Sequence, residues 1–258
     1  MGNNQAESSE SGQAEPPEAG ASARSRHRAL AAEFRFERTA VGVVLATAVG
    51  VMVAGIAVWW VGAAAAGAVF AGHAVYVWVR PGPLADWRRG ARAERRTGRR
   101  LSELVPASGF RILHDRRLPG ARGRNLDHLV IGLTGVYVIV SRGWRPGVAV
   151  REEQGRLLVG RRPLNEPIGV AVKAAGIVGE LLADGLGAPV EVGSIVAVHR
   201  ARVPRDGIRL QGVLVLSARE LARVLSGRPV IYTTAQVDAI AAVAERSLPP
   251  MRRQLSLK

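Results

Sequence analysis

The sequence predicts an α/β protein: an N-terminal two-helix transmembrane hairpin followed by a mixed-sheet domain. Two observations carry this prediction. Residues 39–79 contain no Asp, Glu, Lys or Arg, although the chain as a whole carries a net charge of +15. Beyond residue 80, helical patterns alternate with short runs of Val, Ile and Leu bounded by Gly or Pro, which is typical of a mixed sheet covered by helices. A mean hydropathy of +0.10 fits this separation of apolar and charged segments.

The N-terminal tail, residues 1–38, divides into an acidic and a basic part. Residues 1–23 contain four Glu and no basic residue. They carry so few large apolar side chains that burial cannot offset the entropy of ordering, so we predict disorder. The segment Arg24–Arg38 holds five Arg against two Glu, and its pattern is compatible with a helix.

The uncharged block, residues 39–79, is about twice as long as the roughly 20 apolar residues that one membrane crossing needs. We therefore expect two spans, near residues 40–59 and 62–79, with a turn around Trp60–Gly62. A signal peptide would have an apolar region of only about 7–15 residues. A buried helix pair of a soluble protein is the other alternative, and it would carry polar residues on an outer face that this block lacks.

Composition also predicts how the hairpin packs and how it is oriented. Small residues recur at every fourth position, a spacing that lets two helices approach closely in lipid; they are Gly42, Ala46, Gly50 and Ala54. Arginines flank both outer ends of the hairpin, whereas the turn is uncharged. By the positive-inside bias, this arrangement predicts a protein of the cell membrane with two spans and both termini in the cytoplasm.

Residues 80–258 form the predicted cytoplasmic domain, with 31 basic against 15 acidic side chains, a net charge of +16. The segment Arg80–Arg100 alone holds eight Arg against Asp86 and Glu94. Because it leaves the membrane directly, anionic lipid headgroups are one expected partner, at about 1 kcal/mol per basic residue near the surface. The phosphates of DNA or RNA are the other. The sequence favours neither.

Periodicity within the domain predicts helices and strands in alternation. The expected helices cover residues 86–105, 167–183, 218–225 and 234–246. The expected strands cover residues 110–113, 126–131, 136–140, 190–198 and 212–216, with a hairpin around Glu152–Gly155.

Several site types are excluded. The chain has no Cys, which rules out disulfides, thiolate metal sites and a Cys nucleophile. It contains no GxxxxGK[ST], GxGxxG, HExxH or GxSxG motif, and its five His are scattered. Nucleotide hydrolysis by a P-loop and zinc peptidase chemistry are therefore not expected.

Four blocks do resemble a known family. They read GARAE, FRILHDRRLPG, NLDHLVIG and GVYVIVSRGW, and they lie at residues 90–94, 110–120, 125–132 and 135–144. These blocks resemble the nuclease-related domain, or NERD, family, and later blocks extend the resemblance over residues 86–247. The resemblance implies a restriction-endonuclease-like fold, similar to the PD-(D/E)XK nucleases. In that fold a helix acid, a strand-start Asp and an acid-x-Lys strand end converge on a divalent metal.

Carried over residue by residue, the resemblance implies that Glu94 is the helix acid and Asp127 the strand-start Asp, both metal ligands. The cofactor would be Mg²⁺ if the site is active, because hard cations take carboxylate oxygens. The third element departs from the family: Val140, Ser141 and Arg142 stand where the family has an acid, a spacer and a lysine. Val140 cannot bind metal. Arg142, the third implied catalytic residue, keeps a positive charge on a guanidinium that does not release a proton.

Three functions stay open at this point. The domain binds nucleic acid or another polyanion without cutting it; or it is a Mg²⁺-dependent nuclease with an incomplete or relocated ligand set; or it is a non-enzymatic membrane scaffold that recruits a protein partner. Plainer roles also exist for single residues. Glu94 would be a solvated helix acid, Asp127 a turn or strand-edge residue, and His128 a hydrogen-bonded strand residue. Glu152 and Glu153 would be solvated residues of a hairpin tip.

Overall fold

The computed structural model describes residues 21–79, 83–104, 109–120 and 125–251. Disorder is predicted for residues 1–23; residues 1–20 lie outside these ranges, whereas residues 21–23 are part of the first helix, so the prediction is wrong for them. Six helices are present in the described part: α1 (Ala21–Ile56), α2 (Trp59–Val79), α3 (Pro83–Ser102), α4 (Glu166–Leu186), α5 (Leu221–Ser226) and α6 (Thr234–Ser247). The strands are β1 (Arg111–Arg117), β2 (Asn125–Gly132), β3 (Gly135–Gly143), β4 (Val150–Glu153), β5 (Arg156–Val159), β6 (Arg162–Pro163), β7 (Val192–His199), β8 (Ile208–Leu210) and β9 (Val213–Ser217).

The helices α1 and α2 contain two windows that are long and apolar enough to cross a membrane, Thr39–Ile56 and Trp59–Val77. Their mean hydropathies are 2.2 and 1.4, and only 11% and 6% of the two windows is buried within the protein. A core helix of a soluble protein would be mostly buried, so the exposure of these apolar surfaces is consistent with a lipid environment.

Small residues bring α1 and α2 together. A Cβ atom on Gly62 would lie 2.6 Å from the carbonyl oxygen of Gly50, and one on Gly50 would lie 2.9 Å from the Cβ of Ala66. The turn expected around Trp60–Gly62 is therefore misplaced: the chain reverses at Ala57 and Val58. Gly62 lies within α2, where the absence of a side chain allows the two helices to pack closely.

The domain is built on a six-stranded sheet in the order β1-β2-β3-β7-β9-β8. The pairs β3–β7 and β7–β9 are parallel and the other pairs antiparallel, which confirms the mixed sheet. A separate three-stranded sheet, β4-β5-β6, contains the expected hairpin. Its tip is formed by Gln154 and Gly155, both with positive φ.

Alternating side chains of the sheet enter two cores. On one face, Val138 and Val140 belong to a core that includes Ile168 of α4 and Val237 of α6. On the other face, Tyr137 and Ile139 pack in a core with residues of α3 and α5, among them Leu101 and Leu221. Helices thus cover both faces, as expected.

Two strands are longer than the sequence indicates. The strand predicted over residues 136–140 continues to Gly143, because Ser141 and Arg142 pair with Ala197 and Val198 of β7. Likewise, β1 continues past residue 113 to Arg117. Both extensions carry polar residues that take part in the site described next.

Candidate functional site

The candidate site lies at the carboxyl end of β3. The backbone N–H of Ser141 donates a hydrogen bond to Oδ2 of Asp127, at 2.8 Å. This bond holds the Asp127 carboxylate beside the end of β3, where the resemblance implies an acid and a lysine. Val140, in the acid position, is 4% exposed and belongs to the core on the α4 face.

Arg142 links this strand end to α4. Its Nη1 donates to the carbonyl oxygen of Ser141 at 3.1 Å, and its Nη2 donates to both carboxylate oxygens of Glu166, at 3.2 and 3.3 Å. Glu166 is the first residue of α4. The side chain of Arg142 is 26% exposed and that of Glu166 is 55% exposed. Arg142, at the position where the resemblance implies a lysine, therefore forms an ion pair with an acid from a different element.

The electrostatics of Asp127 reflect this crowding. Burial raises the pKa of Asp127 above its ordinary value. The guanidinium of Arg142 and the hydrogen bond from Ser141 oppose that increase, whereas the neighbouring carboxyls of Asp115 and Glu166 add to it. The pKa of Asp127 thus depends on two other acids and one arginine at this end of the sheet.

Asp115 and Glu166 are members of this site that sequence reasoning missed. Asp115 is fully buried, and its Oδ1 accepts a hydrogen bond from Nδ2 of Asn125 at 2.9 Å. Its φ is positive, at 47°, and its carbonyl oxygen accepts a hydrogen bond from the N–H of Met251 at 3.0 Å. The available signal for Asp115 was an acid two residues after an apolar strand run, with His114 between them. For Glu166 the only available signal in the sequence was an acidic residue near the start of a predicted helix.

Glu94 lies on α3, whose buried side packs on the sheet. It is 5% exposed, so the solvated alternative for this residue is wrong. Three residues later, Thr97 is fully buried; its Oγ1 accepts a hydrogen bond from Oγ of Ser141 at 2.8 Å and bonds Nε2 of His199 at 2.8 Å. The helix that carries Glu94 is thus tied to the strand end that holds Asp127.

The two predicted metal ligands approach that strand end from different sides. Alternation along β2 places Asp127 on the α4 face with Leu129, whereas Glu94 comes from α3 on the opposite face. Close packing fixes α3 there, since a Cβ on Gly143 would lie 2.7 Å from the carbonyl oxygen of Arg89. A metal-binding role for Glu94 and Asp127 stays a prediction.

Histidines line the α3 face of the sheet. His128 is fully buried, and its Nδ1 lies 2.8 Å from Nδ1 of His114 on β1. Burial, together with the nearby His114, lowers the pKa of His128 well below its ordinary value. Burial and the neighbouring Arg96 and Arg100 lower the pKa of His199 to about 4. The expectation that His128 is a hydrogen-bonded strand residue is confirmed.

Exposed arginines surround this end of the sheet; we call them the arginine rim: Arg96, Arg100, Arg145, Arg200 and Arg202. The segments that follow β3 and β7 carry three of them and are joined by backbone hydrogen bonds. Among these bonds, the N–H of Gly147 donates to the carbonyl of Arg200 at 3.1 Å. The rim therefore presents positive charge from α3 and from both strand ends.

The acids of the hairpin tip do not belong to the site. Glu152 and Glu153 are exposed. Glu152 accepts a hydrogen bond from the N–H of Gly155 at 2.7 Å, and Glu153 pairs with Arg151 at 3.3 Å. They are solvated, as expected, but they are strand residues that flank the turn, and they do not supply the acid that the resemblance implies at position 140.

The donor set at the strand end does not fit a divalent cation in this arrangement. Mg²⁺ demands near-octahedral oxygen ligands, but Val140 offers none. The guanidinium of Arg142 already lies beside Asp127 and Glu166. Within residues 39–77, 89–104, 109–120 and 125–251, no three His, Asp or Glu side chains are grouped so that they could hold a metal ion.

With this geometry established, the comparison with protein families is informative. Residues 89–199 match the family model described as the nuclease-related domain. This confirms the resemblance to the NERD family over residues 89–199, a shorter stretch than the expected 86–247. The NERD match includes Glu94, Asp127, Arg142 and Glu166, whereas Arg200 and Arg202 of the arginine rim lie just beyond it. No curated protein and no solved structure matches the chain.

Proposed function

We propose that the protein is a membrane-anchored NERD protein whose cytoplasmic domain binds nucleic acid, or another polyanion, through a degenerate nuclease site. The observation that carries this proposal is the strand end of β3. Val140 is buried in the core at the position of an acid, and Arg142 at the position of a lysine is paired with Glu166.

These two changes separate phosphate recognition from catalysis. Metal-dependent cleavage needs a cation that polarises the phosphoryl oxygen and lowers the pKa of an attacking water. A valine in the ligand set removes charge that such a cation requires. Arginine, by contrast, recognises phosphate well through its planar fork of donors. The site therefore retains a group that binds phosphate and lacks a group that activates water.

The charge of the domain supports a polyanionic partner. Residues 80–258 carry a net charge of +16. The arginine rim contributes exposed side chains around the strand end. Binding to the phosphate backbone releases counterions, so affinity that arises from such a surface falls steeply with salt.

Membrane anchoring supplies the second half of the proposal. The windows Thr39–Ile56 and Trp59–Val77 are apolar and exposed, and arginines flank the two outer ends of the hairpin, Arg38 before it and Arg80 after it. The lipid bilayer is thus the expected partner of the hairpin, and the positive-inside bias places the domain and both termini on the cytoplasmic side.

The test is a binding measurement on the full chain in nanodiscs of zwitterionic lipid. Fluorescence anisotropy with labelled DNA and RNA is followed between about 50 and 200 mM salt. We expect binding that weakens with salt and that is reduced in Arg142→Ala. The matched control is Arg111→Ala, because Arg111 is also half of a surface ion pair, with Asp238 at 2.8 Å. Its strand register places it near the amino end of β3. Absence of binding at low salt would refute the proposal.

A Mg²⁺-dependent nuclease is a second candidate, in which Arg142 would move away and leave the carboxylates of Asp127 and Glu166 to a cation. Cleavage that requires Mg²⁺ and disappears in Asp127→Ala would support it. If the double variant Val140→Asp with Arg142→Lys cleaves nucleic acid and the wild type does not, the natural site is inactive and this candidate fails.

A further inference from the structure

We infer that Arg142 is the residue that contacts phosphate in this site, and that Glu166 competes with that phosphate as an internal anion. The inference rests on the proposed function and adds a mechanism to it. In the free protein the Glu166 carboxylate occupies the place on the guanidinium that a nucleic-acid phosphate takes in the complex.

One edge of the Arg142 guanidinium is bound within its own strand, by Ser141, and the other edge makes longer contacts with Glu166. Nη1 donates to the carbonyl oxygen of Ser141 within the same strand end, at 3.1 Å. Nη2 meets the two oxygens of Glu166 at 3.2 and 3.3 Å, which is longer than the roughly 2.7–2.9 Å of strong charge-assisted bonds. The Ser141 contact therefore keeps Arg142 in position while the Glu166 contact is open to exchange.

Exposure makes the exchange possible. The Glu166 side chain is 55% exposed and that of Arg142 26%. Ion pairs at such exposure contribute little to stability, because water and salt screen them. A phosphate that approaches from solvent thus meets the carboxylate first and displaces it at small cost.

The fold does not depend on Glu166. The start of α4 is fixed by Ile168, which is fully buried, and by Asn165, whose Oδ1 accepts a hydrogen bond from the N–H of Leu157 at 2.8 Å. The variant Glu166→Gln keeps the shape of the side chain and removes its charge. It is therefore expected to fold normally.

A chain of phosphates suits this surface better than an isolated phosphate. Arg145 follows β3, and Arg200 and Arg202 follow β7, all exposed and joined through backbone hydrogen bonds between their segments. Successive phosphates of a strand would meet these cations in turn once the first is bound at Arg142. We therefore assign the site to the backbone of nucleic acid.

The experiment compares affinities of the full chain in phosphatidylcholine nanodiscs for a labelled single-stranded oligonucleotide. Glu166→Gln is expected to bind about five-fold more tightly than the wild type, the upper range for release of a surface ion pair. The slope of log affinity against log salt should stay the same in Glu166→Gln, because Arg142 contacts a phosphate in both complexes, whereas Arg142→Ala should make it shallower by about 0.7, the value for one phosphate contact on a single strand. The control Asp238→Asn makes the same charge change at the other half of the Arg111 pair, and its effect should stay below about two-fold.

A double variant decides whether the gain acts through Arg142. In Glu166→Gln with Arg142→Ala, the gain over Arg142→Ala alone should vanish. If it persists, or if Glu166→Gln behaves like Asp238→Asn, the inference is overturned while binding by the wild type leaves the proposed function intact. If neither the wild type nor Glu166→Gln binds at low salt, both fail. A gain that is lost when the discs contain phosphatidylglycerol would assign Arg142 to lipid headgroups and overturn the nucleic-acid assignment.

Discussion

Replacement of Thr97 by valine removes the hydroxyl that joins α3 to the strand ends of β3 and β7. That hydroxyl bonds Oγ of Ser141 and Nε2 of His199, both at 2.8 Å. Ser141 is 2% exposed, so its Oγ would be left buried without this acceptor, whereas His199 is partly exposed and can reach water. Two such bonds together are worth about 1–3 kcal/mol, and we expect Thr97→Val to lower the free energy of unfolding by about 2 kcal/mol.

Thermal unfolding of the intact protein in nanodiscs, followed by circular dichroism, measures this loss. For a domain of this size, about 2 kcal/mol corresponds to a decrease in Tm of about 4–8 °C. The control Thr234→Val changes an exposed threonine and should shift stability by less than about 0.5 kcal/mol. Adding Ser141→Ala to Thr97→Val should cost less than the sum of the two single changes, because no hydroxyl is then stranded. Strictly additive losses, or an unchanged Tm in Thr97→Val, would show that the bond does not join α3 to β3.

Two further predictions concern pH and the membrane hairpin. Because the pKa of His199 is lowered from 6.5 to about 4, protonation favours the unfolded state. The contribution of His199 to stability is therefore expected to be constant above pH 6.5 and to fall as pH decreases from 6.5 towards 4, and unfolding midpoints in His199→Gln should show a shallower decline. In the hairpin, Gly62→Val should separate α1 from α2, since its Cβ would meet the Gly50 carbonyl oxygen at 2.6 Å, and overpacking of this kind costs about 1–3 kcal/mol. The chain has no Cys, so a disulfide between Gly42→Cys and His73→Cys reports the helix contact, and Gly62→Val should slow its formation. Equal cross-linking with and without Gly62→Val would contradict the packing.

The fold could be predicted where local pattern is sufficient. Apolar runs bounded by turn residues located β2 and the first part of β3, and the mixed sheet followed from their alternation with helices. The extension of β3 through Ser141 to Gly143 could not be read in this way. It exists because β7 pairs with it in parallel, and β7 comes some fifty residues later in the chain. Polar residues within such an extension resemble a loop until the partner strand is known.

The candidate site could also be predicted only in part from the sequence, for similar reasons. Asp127 stands at the start of an apolar run, so its place beside the end of β3 agrees with its sequence context. The burial of Glu94 was hidden because its neighbours in sequence are Arg92, Arg95 and Arg96. Glu166 joins the site through a helix start and not through a strand, and no periodicity in the sequence indicates that contact.

The short connection between α2 and α3 limits how far the domain can travel. Only residues 80–82 separate Val79 from Pro83, so the link spans at most about 10 Å. Helix α3 has 20 residues and is about 30 Å long. If α2 crosses the bilayer, the strand end of β3 stays close to the membrane surface, within roughly one helix length of the lipid. A nucleic acid bound there would diffuse in two dimensions along the membrane instead of in three dimensions. It would therefore meet only molecules at the same membrane surface.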